Sequence, residues 1–121
     1  MTIAIPVEEK SPEVGVCPSF GRAPWFFLYN NVTKEHTYLD NPAASAQGGA
    51  GIVAAQFVAD NGVKALLTPR CGANAEEVLR KAEILIYQSI PGTVKENIEA
   101  FLADQLVLLA EFHEGFHGHN K

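Results

Sequence analysis

Two cysteines, Cys17 and Cys71, are the softest ligands in this chain, and thiolates suit iron–sulfur clusters and other thiophilic metals. Spacing alone selects no metal, because no C-x-x-C occurs. Two thiolates also fall short of a four-ligand cluster, so a histidine or exogenous sulfide is needed to complete the set. The alternative for each cysteine is a small, inert, half-buried side chain, the common fate of a free thiol. The sharpest motif match lies at the C-terminus. His113-Glu114-Gly115-Phe116-His117 satisfies H-E-x-x-H, where one helical turn sets two imidazoles on zinc with the glutamate as base. Gly115 and Gly118 weaken such a helix, and a zinc-dependent hydrolase still needs a third ligand and a substrate cleft. Loose metal capture by His113, His117 and His119 is the better functional reading. The plainest expectation for residues 113–121 is a solvated, flexible His- and Gly-rich tail.

Glycines supply a second kind of chemistry. Gly49-Ala50-Gly51-Ile52-Val53-Ala54 fits the dinucleotide fingerprint G-x-G-x-x-A. A polar loop separates it from the preceding strand, and no acidic residue ends the next strand to hold a ribose, so no nucleotide cofactor is expected. Free amides at this helix start suit an anion instead. The plain alternative is close packing of helix on sheet.

These residues need elements to position them. Thr2 to Pro6 is a short β-branched run closed by proline, a strand; a loop with Cys17 and Arg22 runs from about Val7 to Pro24. Trp25 to Tyr29 is an aromatic strand, Asn30-Asn31 a turn, and Lys34 to Leu39 alternates as an outer strand does. Gly51 to Asp60 then reads as a helix, stopped by Asn61-Gly62. Val63 to Thr68 is a buried strand. Asn74 and Glu77 suggest a variant capping box opening a helix to about Ala82. Glu83 to Tyr87 is a fifth strand. Thr93 and Glu96 form a regular capping box before Val94, Ile98, Phe101 and Leu102 at helical spacing. Leu106 to Phe112 is apolar but reads equally as strand or helix.

A meander followed by two strand–helix units implies a three-layer α/β domain over residues 1–112, with one five-stranded mixed sheet in the order 3-2-1-4-5 flanked by helices. Growth of the sheet reverses between strands 1 and 4, and ligands in open α/β sheets bind at such a switch point, outside the carboxyl ends of the strands. That edge gathers Cys17 and Arg22, Asn41 and the Gly48 to Gly51 run, then Arg70, Cys71, Gly72 and Asn74. Ser89, Pro91 and Gly92 complete it. Both cysteines and two of the three arginines lie there; Arg80 does not.

This arrangement, with Ser19-Phe20-Gly21-Arg22-Ala23 before an aromatic strand, resembles the dinitrogenase iron–molybdenum cofactor biosynthesis family, the NifB- and NifX-like nitrogenase accessory factors. Matching pieces are Gly48 to Phe57, Asn61-Gly62-Val63, and Cys71-Gly72-Ala73-Asn74-Ala75; order and spacing carry the likeness, from Ile3 to about Leu106. The resemblance implies a ribonuclease-H-like fold and a non-enzymatic role in binding, carrying or inserting an iron–sulfur or molybdenum-containing cluster. Donor and recipient proteins are not implied, and a homodimer is one way to complete the site. On this reading Cys17 and Cys71 are candidate ligands, Arg22 and Arg70 offset cluster charge, and amides from Gly49, Ala50, Gly51 and Gly72 assist. Ribonuclease-H chemistry itself needs several carboxylates around two metal ions. Strands 1, 4 and 5 carry no Asp and no internal Glu, so a nuclease is excluded.

Composition bounds the partners. Nine Lys and Arg against fourteen Asp and Glu give a formal net charge of −5 over 121 residues. No basic surplus exists to neutralise phosphates or an anionic membrane surface. The first residues lack the charged start and long apolar run of a signal peptide, so the cytoplasm is the expected compartment. The runner-up function is a protein-interaction or small-anion-binding module without metal.

Overall fold

The computed structural model describes residues 1–112. Five strands, β1 (Thr2–Val7), β2 (Trp25–Asn30), β3 (His36–Asp40), β4 (Val63–Thr68) and β5 (Leu85–Gln88), form one sheet in the order β3-β2-β1-β4-β5. β1–β2 and β2–β3 pair antiparallel, whereas β1–β4 and β4–β5 pair parallel. The sheet order expected from the sequence is therefore the one observed.

Both sheet faces are covered, which is why the central strands β1 and β4 read as near-continuous apolar runs. On one face Ala4, Phe26, Leu28, Leu66 and Ile86 pack with helix α1 (Ala50–Asp60) and helix α2 (Ala73–Lys81). On the other, Ile3, Ile5, Val7, Phe27 and Leu67 pack with helix α3 (Val94–Leu102). The result is three layers. α1 stops at Asn61, and Gly62 follows at φ +76°. α3 carries the expected capping box: Thr93 Oγ1 accepts from the Glu96 amide at 3.0 Å, and Glu96 Oε1 accepts from the Thr93 amide at 2.8 Å.

Two local expectations need correction, and one open reading is resolved. The Asn74–Glu77 box does not form. Gly72 is the N-cap of α2, without a side-chain cap; Asn74 already lies inside the first turn, and Glu77 pairs instead with Lys81. Glu83 does not begin a strand, because its φ of +62° turns the chain between α2 and β5. The Leu106–Phe112 run is not a helix. It extends antiparallel to β5, with the Gln88 amide donating to the Val107 carbonyl at 2.8 Å and the Leu109 amide to the Ile86 carbonyl at 2.9 Å. His113, His117 and His119 lie outside the described residues. No helix among the described residues is long and apolar enough to cross a membrane.

Candidate functional site

At the carboxyl edge of β1, β4 and β5, the loop 8–24 leaves β1 and folds back, so that the Cys17 amide donates to the Pro6 carbonyl at 2.8 Å. Within it Gly21 lies against the start of α1. A Cβ there would sit 2.9 Å from the Gly51 nitrogen and 3.1 Å from the Ala50 carbonyl carbon, so only glycine admits this approach. Asn41, buried in the loop after β3, holds the same segment. Its Nδ2 donates to the Gly21 and Ala23 carbonyls at 3.2 and 2.8 Å, and its Oδ1 accepts from the Ala43 amide at 2.9 Å. Arg22 spends part of its guanidinium locally, with Nη1 donating to the Ala44 and Ala46 carbonyls. The arginine read as a free counter-charge thus also clamps the loop leading into α1.

The two helices that start here are open at the N-terminus. Gly49 caps α1 in the left-handed region at φ +66°, Gly72 caps α2, and no side chain caps either one. The first helical bonds run from Val53 to Gly49 and from Glu76 to Gly72. The amides of Ala50, Gly51 and Ile52, and of Ala73, Asn74 and Ala75, precede them and point out of the helix ends. The starts are side by side, since a Cβ on Gly51 would lie 3.3 Å from the Ala75 Cβ. The positive ends of two helix dipoles therefore meet at one place, which favours an anion. The G-x-G-x-x-A spacing serves this packing.

Beside them, Arg70 and Cys71 enter a cavity of about 600 Å³ together with Pro69 and Gln88; Leu109, Ala110, Glu111 and Phe112 form the opposite wall. Thr68, fully buried at the end of β4, donates from Oγ1 to the Arg70 carbonyl at 3.0 Å and fixes this turn. Sequence reasoning missed Thr68, Gln88 and the C-terminal wall. A polar residue closing an apolar strand was the available signal for the first two.

Both thiols are buried, at 5% exposure for Cys17 and 2% for Cys71. Burial pushes the Cys71 thiol up to about 12, with the Glu76 charge adding to it. Burial also raises Cys17; a backbone hydrogen bond at Ser19 lowers it and the Glu8 carboxylate, 3.5 Å from Sγ, raises it again. At neutral pH both are thiols, and deprotonation awaits an arriving metal. Cys71 belongs to the packed cluster on the α1–α2 face, and Cys17 to neither face's cluster. Among the described residues no group of three or more His, Cys, Asp and Glu could hold a metal ion. The arrangement sets two uncapped helix starts near a cavity that holds Arg70, Glu111 and one buried soft sulfur.

Comparison with known proteins gives a consistent picture. Residues 1–104 match the family model described as dinitrogenase iron-molybdenum cofactor. The apo form of the orange protein from Desulfovibrio gigas superposes with a TM-score of 0.85 at 35% identity, over 90% of this chain and 92% of that one. A NifB-like Thermotoga protein assigned to the DUF35 family gives 0.80 at 32% identity, over 94% and 97%. An uncharacterized protein of Methanocaldococcus jannaschii is 28% identical over 109 residues, 88% of this chain and 89% of its own length.

Proposed function

The chain belongs to the dinitrogenase iron–molybdenum cofactor family, and from that premise we propose that it binds and carries an anionic metal–sulfur cluster at the carboxyl edge of its sheet, without catalysing a reaction. The observation that carries this reading is the cavity that holds Arg70 and Cys71 beside two adjacent helix starts without side-chain caps. Arg70 supplies charge, the amides at Gly49 to Gly51 and after Gly72 supply donors, and Cys71 supplies a soft sulfur. Arg22 holds the loop that presents α1, and Cys17 is a second, separately packed thiol. An iron–sulfur or molybdenum–sulfur cluster satisfies all of these groups at once, as its sulfides accept hydrogen bonds and its metals accept thiolate. The family resemblance implies a ribonuclease-H-like fold, and the strand order β3-β2-β1-β4-β5 agrees with that reading.

The protonated, buried thiols favour one second reading, a small-anion module without metal. Anaerobic reconstitution with iron and sulfide, and separately with tetrathiomolybdate, tests between them through metal analysis and visible absorption. Stoichiometric metal with charge-transfer bands that weaken in Arg70→Gln and Cys71→Ser supports the cluster carrier. Absence of bands and of stoichiometric metal in both reconstitutions overturns it.

A further inference from the structure

The family match ends at residue 104, yet half of the cavity wall comes from residues 109–112. Beyond Asp104, whose φ of +60° turns the chain, Leu106 to Leu109 lies along β5 as a strap. Two main-chain hydrogen bonds, between Gln88 and Val107 and between Leu109 and Ile86, hold it there. Its side-chain anchors are two leucines on opposite faces: Leu106 in the α3-side cluster and Leu109 in the α1–α2-side cluster. Val107 and Leu108 between them are 67% and 54% exposed. An attachment this slight opens locally without unfolding the sheet.

The strap's cavity side has a definite chemistry. Leu109 is buried and Phe112 half-buried, both in the cluster that contains Cys71, while the carboxylate of Glu111 stands exposed at the rim. Apolar walls exclude water and strengthen the attraction between Arg70 and a bound anion. The Glu111 charge opposes further negative charge at the entrance.

Building on the cluster-carrier reading above, we propose that Leu109, Ala110 and Phe112 are binding residues for the anionic cargo, and that the strap must leave β5 for cargo to enter or depart. The cavity is thus a composite: the ends of β4 and β5 with the start of α2 provide the charge and the soft sulfur, and the segment after Asp104 provides the cover. Cys71 reports on the cover even in the empty protein, because it lines the same cavity and shares a packed cluster with Leu109 and Phe112.

The test uses the full chain and two variants, Leu109→Pro, which removes the amide bonded to Ile86, and Phe112→Ala, which thins the wall. Thiol alkylation of the empty protein is followed at each cysteine by mass spectrometry. Detaching the strap raises the Cys71 rate on the order of tenfold, the worth of about one hydrogen bond, and leaves Cys17 unchanged as the sign of an intact fold. In tetrathiomolybdate-loaded protein, both variants release the anion faster than wild type. A Cys71 rate equal to wild type in both variants overturns the proposal, even if the anion binds. Faster Cys71 labelling in a chain that takes up no anion overturns the cargo-binding role together with the reading beneath it. Faster release in loaded Phe112→Ala, with unchanged Cys17 labelling, supports the proposal where Leu109→Pro fails to fold.

Discussion

Gly51 and Ala75 meet where α1 and α2 begin, so closely that a Cβ on the glycine would lie 3.3 Å from the alanine Cβ. The contact sets the distance between two positive helix ends. Gly51→Val places further atoms beyond that already tight point. Overpacking of this kind costs about 1–3 kcal/mol. Urea unfolding should show the loss, and tetrathiomolybdate uptake should fall as well. Full stability with full uptake would show that the helix starts tolerate separation.

Asn41 ties the loop after β3 to Gly21 and Ala23 through two hydrogen bonds donated by its buried side-chain amide, and its oxygen accepts a third from Ala43 in its own loop. Asn41→Ala leaves the Ala43 amide and two carbonyls unpaired, a penalty of about 1–3 kcal/mol for each group that stays buried. A thermal melt well below that of wild type is expected, along with weaker anion uptake because Gly21 no longer braces α1. Asn41→Asp keeps the acceptor for Ala43 and should recover only part of the stability.

α3 closes its own N-terminus, unlike α1 and α2. Thr93→Ala removes one half of the capping box and should cost about 1 kcal/mol. A melting temperature lower by a few degrees, with Cys71 labelling and anion uptake preserved, would mark α3 as structural support. Impaired uptake would instead draw the 89–93 loop into the site.

Cys71 gives the pH dependence its sign. Its folded value lies near 12, above the ordinary thiol value of 9.0, so the folded state holds this proton more tightly than the unfolded chain does. The stability linked to it is complete below about pH 9 and drains as pH climbs toward 12. Unfolding free energies of wild type should therefore decline over that alkaline range more steeply than those of Cys71→Ala. Parallel declines would remove Cys71 from the account.

The sequence made the architecture legible because strands buried on both faces stand out as short apolar runs between turn signals. Ile3, Ile5 and Val7 go to one face and Ala4 to the other, and Gly62 and the Thr93–Glu96 box mark their boundaries with local chemistry. The site was legible only as an address. Topology put Cys17, Arg22, Arg70 and Cys71 at one edge, but their states depend on packing that a linear pattern does not encode. Arg22 turned out to bond carbonyls twenty-two and twenty-four residues away, and both thiols were sealed from water. Asn74 misled because a plausible cap residue three positions before a glutamate says nothing about which residue leaves helical geometry first. Leu106 to Phe112 stayed ambiguous because its partner, β5, is remote in sequence and settles its conformation.

The turn at Asp104 separates the sheet and its helices from the segment that walls the cavity. A chain that keeps its sheet and helix starts while altering residues 105–112 retunes what it accepts without touching the strands on which folding depends. Transplanting that octapeptide onto a relative with the same sheet would carry ligand preference with it. Diversification by such a graft needs no new core and no new fold.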